Sequence, residues 1–307
     1  MSTQTLATVP VASLPKRPAW TKRLTSARKL VISGKTGAIS LGVFVTFVFI
    51  IIVSPWLPLP DAQAPNLIDR LMGPGHVSAD GTMHWLGTDQ LGRDVLSRML
   101  LGGRVSLLVA SLTVVVSGSI GTAVGLLAGY RGGWIDSVVM RLVDFQMALP
   151  SLLLAIFLLY IIGSSVMNLV VLLSIMSWYS YTRIVRSEVL RLKSAVYVDA
   201  ARSVGATDRR LMFRHILPQI MPVLLVIAVF DFGVVMLAES SISFLGMGIQ
   251  PPDTSWGRMI SEGQQFITTG AWWVFAAPGA GIFLTVLSLR LSADWLGRVL
   301  GVNTKIG

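Results

Sequence analysis

Long stretches without a single charged residue constrain the fold of this chain more than any other feature. The first, residues 38–57, reads AISLGVFVTFVFIIIVSPWL, and a second covers residues 105–128. A bilayer core about 30 Å thick takes roughly 20 apolar helical residues to cross. Only 13% of the 307 residues are charged, whereas an ordinary soluble domain has about 25%. The sequence therefore predicts an all-α, polytopic membrane protein.

The apolar runs predict about six transmembrane helices. They cover approximately residues 38–57, 105–128, 142–162, 166–181, 216–237 and 271–289. The third and fourth runs are separated only by the residues GSS, which we interpret as a turn. No cysteine is present, so the sequence excludes a disulfide framework and a cysteine-ligated metal site.

The basic residues predict the orientation of these helices. Residues 16–35 carry only positive charges, and residues 182–215 carry many more basic than acidic residues. In contrast, Arg258 is the single basic residue among residues 250–270. Positive residues stay on the cytoplasmic side, so both termini are predicted to be cytoplasmic. The +10 net charge then indicates a tail near anionic lipid headgroups and no nucleic acid. The alternative, a cleaved signal peptide ending at Ala62-Gln63-Ala64, needs an unusually long basic region before the apolar run.

A polar segment interrupts the apolar pattern at residues 197–218, which read YVDAARSVGATDRRLMFRHILP. Its spacing predicts a short helix with one small apolar face, formed by Val196, Tyr197, Ala200, Ala201 and Val204. Gly205 is predicted to end this helix, and Pro218 restricts the start of the next one. A face of small side chains suits insertion into a groove on another protein, and an ordinary connecting helix is the alternative.

The same segment resembles the EAA loop of bacterial ABC importer permeases, whose pattern is E-A-A-x-x-x-G-x9-I-x-L-P. Asp199 stands here for the glutamate and His215 for the isoleucine, while Gly205, Leu217 and Pro218 match. The resemblance implies that the short helix, near residues 194–205, is a coupling helix that docks on an ATPase subunit. The implied coupling positions are Tyr197, Asp199, Ala200, Ala201, Gly205 and Ala206.

Two further segments resemble the dipeptide/oligopeptide branch of this family, and specifically its second membrane subunit. They are HWLGTDQLGRDVLSRMLLGGRVSL at residues 84–107 and AESSISFLGMGIQPPDTSWGRMI at residues 238–260. The C-terminal segment RLSADWLGR departs from the family ending, keeping only Asp294 and Leu296. The implied division is a basic cytoplasmic tail (1–36), a first helix with an extracytoplasmic loop (37–103), a permease core (104–292) and a cytoplasmic C-terminal tail (293–307).

The resemblance also implies partners and a location. A homologous permease would complete a heterodimeric path in the bacterial inner membrane, two ABC ATPases would bind ATP and magnesium, and an extracytoplasmic binding protein would deliver cargo. Short peptides are the implied cargo, with nickel chelates or glutathione as alternatives. The sequence has no complete Walker A, H-E-x-x-H or G-x-S-x-G motif, so we expect no enzyme activity, cofactor or metal in this chain. A stand-alone secondary transporter is the competing hypothesis.

Polar residues inside the apolar runs are candidates for function, because charge is costly in a membrane. We expect Asp144 to pair with Arg141 one turn earlier, and Asp231 to line a translocation path or to form a buried helix contact. Glu239 is a weaker path candidate, predicted as an interfacial cap at a helix end. A stripe of small residues predicts close helix packing. It comprises Ser117, Gly121, Gly125 and Gly129.

The outer loops give weaker predictions. The segment GIQPPDTSWG predicts a folded loop. Trp256, Trp272 and Trp273 are expected to form an aromatic belt at the outer membrane surface. His76 and His84 are interpreted as exposed polar residues and not as metal ligands.

Overall fold

The computed structural model describes residues 35–302. Nearly all of the predicted basic tail (1–36) and the end of the predicted C-terminal tail (303–307) lie outside this range. All regular elements of the described part are helices apart from one short hairpin, so the all-α prediction is confirmed. In chain order the elements are α1 Lys35–Val53, β1 His76–Val77, β2 Met83–His84, α2 Val95–Arg131, α3 Gly133–Ala148, α4 Ser151–Ile162, α5 Val166–Lys193, α6 Val196–Ser203, α7 Leu217–Phe244, α8 Trp256–Gly263 and α9 Trp273–Leu300.

Four of the described helices are long and apolar enough to cross a membrane: α1 with its 3₁₀ extension, α2, α7 with the turns before it, and α9. Helices α3 and α4 form a bent pair that together supplies a fifth candidate. The fourth predicted span, residues 166–181, is the first part of α5. That helix has 28 residues but ends in a charged stretch containing Arg183, Arg186 and Lys193.

The third predicted span is wrong as a continuous helix. Helices α3 and α4 meet at an angle of 88°, and the break falls at Leu149 and Pro150. Proline lacks the amide hydrogen that a helix interior needs, and it drives the preceding residue toward extended conformations. Leu149 accordingly has φ −86° and ψ 136°.

The centre of the fold is the contact between α2 and α5, and the predicted small-residue stripe forms it. A Cβ atom placed on Gly125 would lie 2.6 Å from the Thr182 carbonyl oxygen, and one on Gly129 would lie 2.9 Å from the Val189 Cβ. Only glycine lets the two backbones approach so closely. The packing prediction is therefore confirmed.

Residues 58–94, which connect α1 to α2 and are called the 58–94 region below, pack against the N-terminal end of α2. Its hairpin pairs β1 with β2, and Leu71 and Leu86 pack on a small buried cluster that contains Val95 and Val274. Asp94 caps α2 by accepting a hydrogen bond from the Ser97 amide. This region and α6 therefore lie at opposite ends of α2, because α6 packs near Tyr130 at the C-terminal end of that helix.

Candidate functional site

The α5–α7 connection, residues 194–216, begins with the short helix α6. The helix ends at Gly205, which has φ +89°. The Gly205 amide donates to the Arg202 carbonyl (2.9 Å) and the Ala206 amide to the Ala201 carbonyl (3.1 Å). These two bonds form a Schellman motif, in which a left-handed glycine closes the helix. The predicted helix and its glycine end are confirmed.

The exposed face of α6 differs from the predicted one at a single position. Val196 is 85% exposed and Val204 is 90% exposed, and Tyr197 and Ala200 are exposed beside them. Ala201 was predicted on this face, but it is half-buried against the cluster that anchors the connection. The helix turns Ala201 inward because it must also bury Val198, which is on the same side and fully buried.

Buried side chains and polar contacts hold the connection against the bundle. The Tyr130 hydroxyl, at the end of α2, donates to the Asp208 carboxylate (2.6 Å), and Lys193 donates to the Tyr130 carbonyl oxygen (2.5 Å). Leu211 and Ile216, in a π-helical stretch that leads into α7, are completely buried. The connection that begins with α6 is therefore anchored to α2, α5 and α7.

The surface around α6 is basic. Arg202 pairs loosely with Asp199 (3.6 Å), and both side chains are largely exposed. Arg209, Arg210 and Arg214 are exposed nearby. A partner for this surface needs apolar pockets for Val196, Tyr197 and Val204 together with acidic groups around them.

The predicted pair of Arg141 with Asp144 is wrong. Asp144 lies 3.8 Å from Arg183 of α5, and both side chains are more than half exposed. Helix α3 lies across the bundle next to α5, so the closest basic group comes from a neighbouring helix. The Asp144 carboxylate is therefore exposed on this chain and weakly paired.

Asp231 lies in α7 beside a small cavity. The cavity has a volume of about 160 Å³, and its walls come from α4, α5 and α7. One oxygen of the Asp231 carboxylate, Oδ2, is buried without a hydrogen-bond partner, and so is the hydroxyl of Tyr181 in α5. Asp231 therefore lies between helices, at a mostly apolar cavity that also contains serine side chains.

Glu239 is not an interfacial cap, so that prediction is wrong. Its side chain is completely buried, and it accepts hydrogen bonds from the hydroxyls of Ser106 (3.1 Å), Ser240 (3.3 Å) and Ser243 (2.7 Å). Helix α7 continues to Phe244, so Glu239 is inside the helix and faces α2. The hydroxyl groups compensate its burial, and this environment is that of a helix-packing contact and not of a path wall.

Two predictions for the outer loops are also wrong. Trp256 is completely buried, with its indole N–H donating to the Met99 carbonyl (2.7 Å), so it is a core residue and not part of an aromatic belt. Trp272 is 59% exposed, as a belt residue would be. His84 is buried and contacts Asp94 (2.9 Å) and Ser78 (2.9 Å).

Ion pairs and hydrogen bonds stabilise the end of the bundle that carries the 58–94 region. Hydrogen bonds from Ser78 and His76 lower the pKa of Asp69. Burial acts to raise the pKa of Glu262, but the charge and hydrogen bond of Arg98 outweigh it, so that pKa is lowered. Among residues 35–302, no cluster of three His, Asp or Glu side chains is arranged to hold a metal ion.

Sequence reasoning missed Val198, Tyr130 and Tyr181, although each has a structural part in these sites. Val198 follows Val196 and Tyr197 in one apolar run, so its opposite direction was readable from the helical period. Tyr130 and Tyr181 had no such signal, because the groups that they contact or approach are far away in the sequence.

The fold and the α5–α7 connection define a class of protein: a multi-span helical membrane protein that presents a short helix with an exposed apolar face outside the apolar part of its bundle. Residues 121–302 match the family of binding-protein-dependent transport system inner membrane components. The chain belongs to this family, and it is a membrane permease subunit of an ABC importer.

Individual relatives agree with this assignment. The chain is 36% identical to the dipeptide transport system permease protein DppC of Alkalihalophilus pseudofirmus, over 91% of this chain and 90% of that protein. It is 40% identical to the glutathione transport system permease protein GsiD of Pectobacterium atrosepticum, over 87% of each chain. It is 38% identical to the di/tripeptide transport system permease protein DppC of Pseudomonas aeruginosa, over 84% of this chain and 85% of that protein.

Proposed function

We propose that this chain and a homologous permease together form the translocation path for short peptides. Two separate ATPase subunits power the transport, and one of them receives α6 in a groove. An extracytoplasmic binding protein delivers the cargo to the end of the bundle that carries the 58–94 region. The observation that carries the proposal is α6 itself: a short helix with an exposed apolar face, in a connection that is anchored to three helices of the bundle.

The attachment of α6 suggests how ATP drives transport. When the ATPases close on ATP, they move the docked α6 as a rigid body. Val198 and the Tyr130–Asp208 hydrogen bond pass this movement to α2 and α5, while the π-helical stretch passes it to α7. The bundle then alternates between states open to one side or the other. Tyr197, Asp199, Ala200 and Gly205 present the docking surface, whereas Ala201 and Ala206 are half-buried against the bundle.

Peptide cargo is supported by the relatives. Two of the three described above are named for transport of dipeptides or of di- and tripeptides. The third is named for glutathione, which is a modified tripeptide, so glutathione is the second candidate cargo. All three cargoes share peptide bonds and free charged ends.

Orientation is the first test of this proposal, and the absence of cysteine makes it straightforward. Ala200→Cys and Ala79→Cys each introduce one thiol at an exposed alanine, at opposite ends of the bundle. We expect a membrane-impermeant maleimide to label Ala79→Cys in intact cells and Ala200→Cys only in inverted vesicles. Labelling of Ala200→Cys from outside would refute the placement of α6 against cytoplasmic ATPases.

The second test measures transport. The chain is co-purified with its permease and ATPase partners, reconstituted in proteoliposomes, and supplied with binding protein and radiolabelled alanyl-alanine. We expect ATP-dependent uptake that stops when either ATPase is omitted. Uptake by the isolated chain in an ion gradient would instead support a secondary transporter. A complex that takes up glutathione but not alanyl-alanine would replace the first cargo by the second.

A further inference from the structure

We propose that the cavity beside Asp231 is a binding site for a primary ammonium group, and that in transport it receives the amino terminus of the peptide. This inference rests on the proposed function as a peptide importer, and it adds which part of the cargo the permease recognises. The site consists of the Asp231 carboxylate together with hydroxyl groups from the walls of the cavity.

The first reason is an unsatisfied carboxylate. Oδ2 of Asp231 is buried and has no hydrogen-bond partner. The hydroxyl of Tyr181 is also buried and approaches this carboxylate as a donor, but the contact is too long or too poorly aligned to satisfy Oδ2. An unpaired acidic group inside an apolar helix bundle is costly, so such a group marks a position where a partner is expected.

The second reason is that no basic residue in the described range, 35–302, forms an ion pair with Asp231. The basic residues nearby on α5 have other partners: Arg183 lies 3.8 Å from Asp144, and Arg186 pairs with Asp136. Among residues 35–302, the ion pairs within 4.0 Å do not include Asp231, which contrasts with the paired Asp144 and Asp136. The charge of Asp231 is therefore available for a ligand.

The third reason is the composition of the cavity walls. Ser151 of α4 and Ser177 and Ser180 of α5 line the cavity together with Asp231, and the remaining walls are mostly apolar. Hydroxyl oxygens accept hydrogen bonds, as carboxylates do. A primary ammonium group carries three N–H donors and one positive charge, so one carboxylate and neighbouring hydroxyls match it. The residues around Asp231 do not form a cluster of His, Asp and Glu that would hold a divalent metal.

The fourth reason is size. A cavity of about 160 Å³ is far smaller than the roughly 300–1,000 Å³ of sites that enclose a drug-sized ligand. It has room for one end of a peptide and not for all of it. Recognition of a shared amino terminus would let the permease accept many side chains, because every unmodified peptide carries this group.

The test compares two cargoes in the reconstituted complex with its binding protein. Alanyl-alanine carries the amino group, and propionyl-alanine has the same skeleton without it. The affinity of the binding protein for each cargo is first measured by calorimetry, and cargo concentrations are set so that the same fraction of binding protein is loaded. Uptake of each cargo is then expressed per loaded binding protein. The variants are Asp231→Asn, which removes the charge at nearly constant shape, Asp231→Glu, which keeps it, and Asp294→Asn as a control. Asp294 is partly exposed on α9 and lies 3.8 Å from Arg290.

We expect the wild-type complex to prefer alanyl-alanine. Asp231→Asn should reduce the ratio of alanyl-alanine uptake to propionyl-alanine uptake by about tenfold to a hundredfold, because the loss of one hydrogen bond to a charged group has an effect of this size. Asp231→Glu should retain most of it, and Asp294→Asn all of it. Thermal unfolding of each purified variant checks that the bundle is intact.

Three results would overturn the inference: an unchanged preference in Asp231→Asn, an equal loss of uptake for both cargoes, or a wild-type complex without preference. An equal loss would assign Asp231 to helix packing or gating instead. A wild-type complex that takes up neither cargo contradicts the proposed peptide transport itself, so the two failures are distinguishable.

Discussion

Gly205 provides the sharpest test of α6 as a coupling helix. Its φ of +89° lies in the left-handed region, and a Cβ atom at this position would meet no atom within 4 Å. A substitution therefore costs only backbone strain and causes no clash within the chain. For an L-residue this strain is about 1–2 kcal/mol, which corresponds to roughly a tenfold loss of the closed helix end. A β-branched side chain costs more, and asparagine costs less.

The series Gly205→Asn, Gly205→Ala and Gly205→Val is expected to weaken coupling in that order. The assay is ATP hydrolysis by the reconstituted complex, stimulated by loaded binding protein. Gly205→Val should abolish the stimulation while the ATPases remain bound and basal hydrolysis continues. Membrane insertion should be unchanged, because no contact inside the bundle is altered.

Gly270 is the matched control. It has φ +91° and equally open surroundings, and it closes a turn in which the Ala271 amide bonds to the Phe266 carbonyl. It lies just before α9, at the opposite end of the bundle from α6. Gly270→Val carries the same backbone strain and should leave stimulated hydrolysis intact. The reasoning fails if Gly205→Val couples normally, or if both valine variants lose coupling to the same extent.

Three further predictions concern stability. Gly125→Ala should lower the free energy of unfolding of the bundle by about 1–3 kcal/mol, because the added Cβ atom would overlap α5. Gly118→Ala, whose Cβ atom would lie at contact distance from Tyr181, should change the free energy of unfolding little. Val198→Ala should destabilise α6 by about 2 kcal/mol and so speed hydrogen exchange of residues 196–203. The lowered pKa of Glu262 means that its ion pair stabilises the fold above about pH 4.3. This stability is lost as pH falls through the folded pKa, so Glu262→Gln should differ from wild type in unfolding temperature at pH 7 and match it in strong acid.

Much of the architecture follows from the sequence alone. Uncharged apolar runs predict membrane helices because the backbone must satisfy its own hydrogen bonds in lipid. The small-residue stripe at Gly121, Gly125 and Gly129 predicts close packing, and Gly205 predicts the end of α6. These signals are local: each depends on residues within a few turns of one another. The structure confirms the glycine packing and the end of α6, and it has four helices able to span, with the third predicted run broken by an 88° bend.

The tertiary structure alone decided which partner each polar or aromatic group meets. Glu239 is joined to Ser106, Asp144 to Arg183 and Trp256 to Met99, and every one of these partners is more than thirty residues away in the sequence. Neither hydropathy nor helical period specifies which helices become neighbours, so the sequence could not distinguish a buried, hydrogen-bonded group from an exposed one. The cavity beside Asp231 has the same origin, since three separate helices must pack before its walls exist.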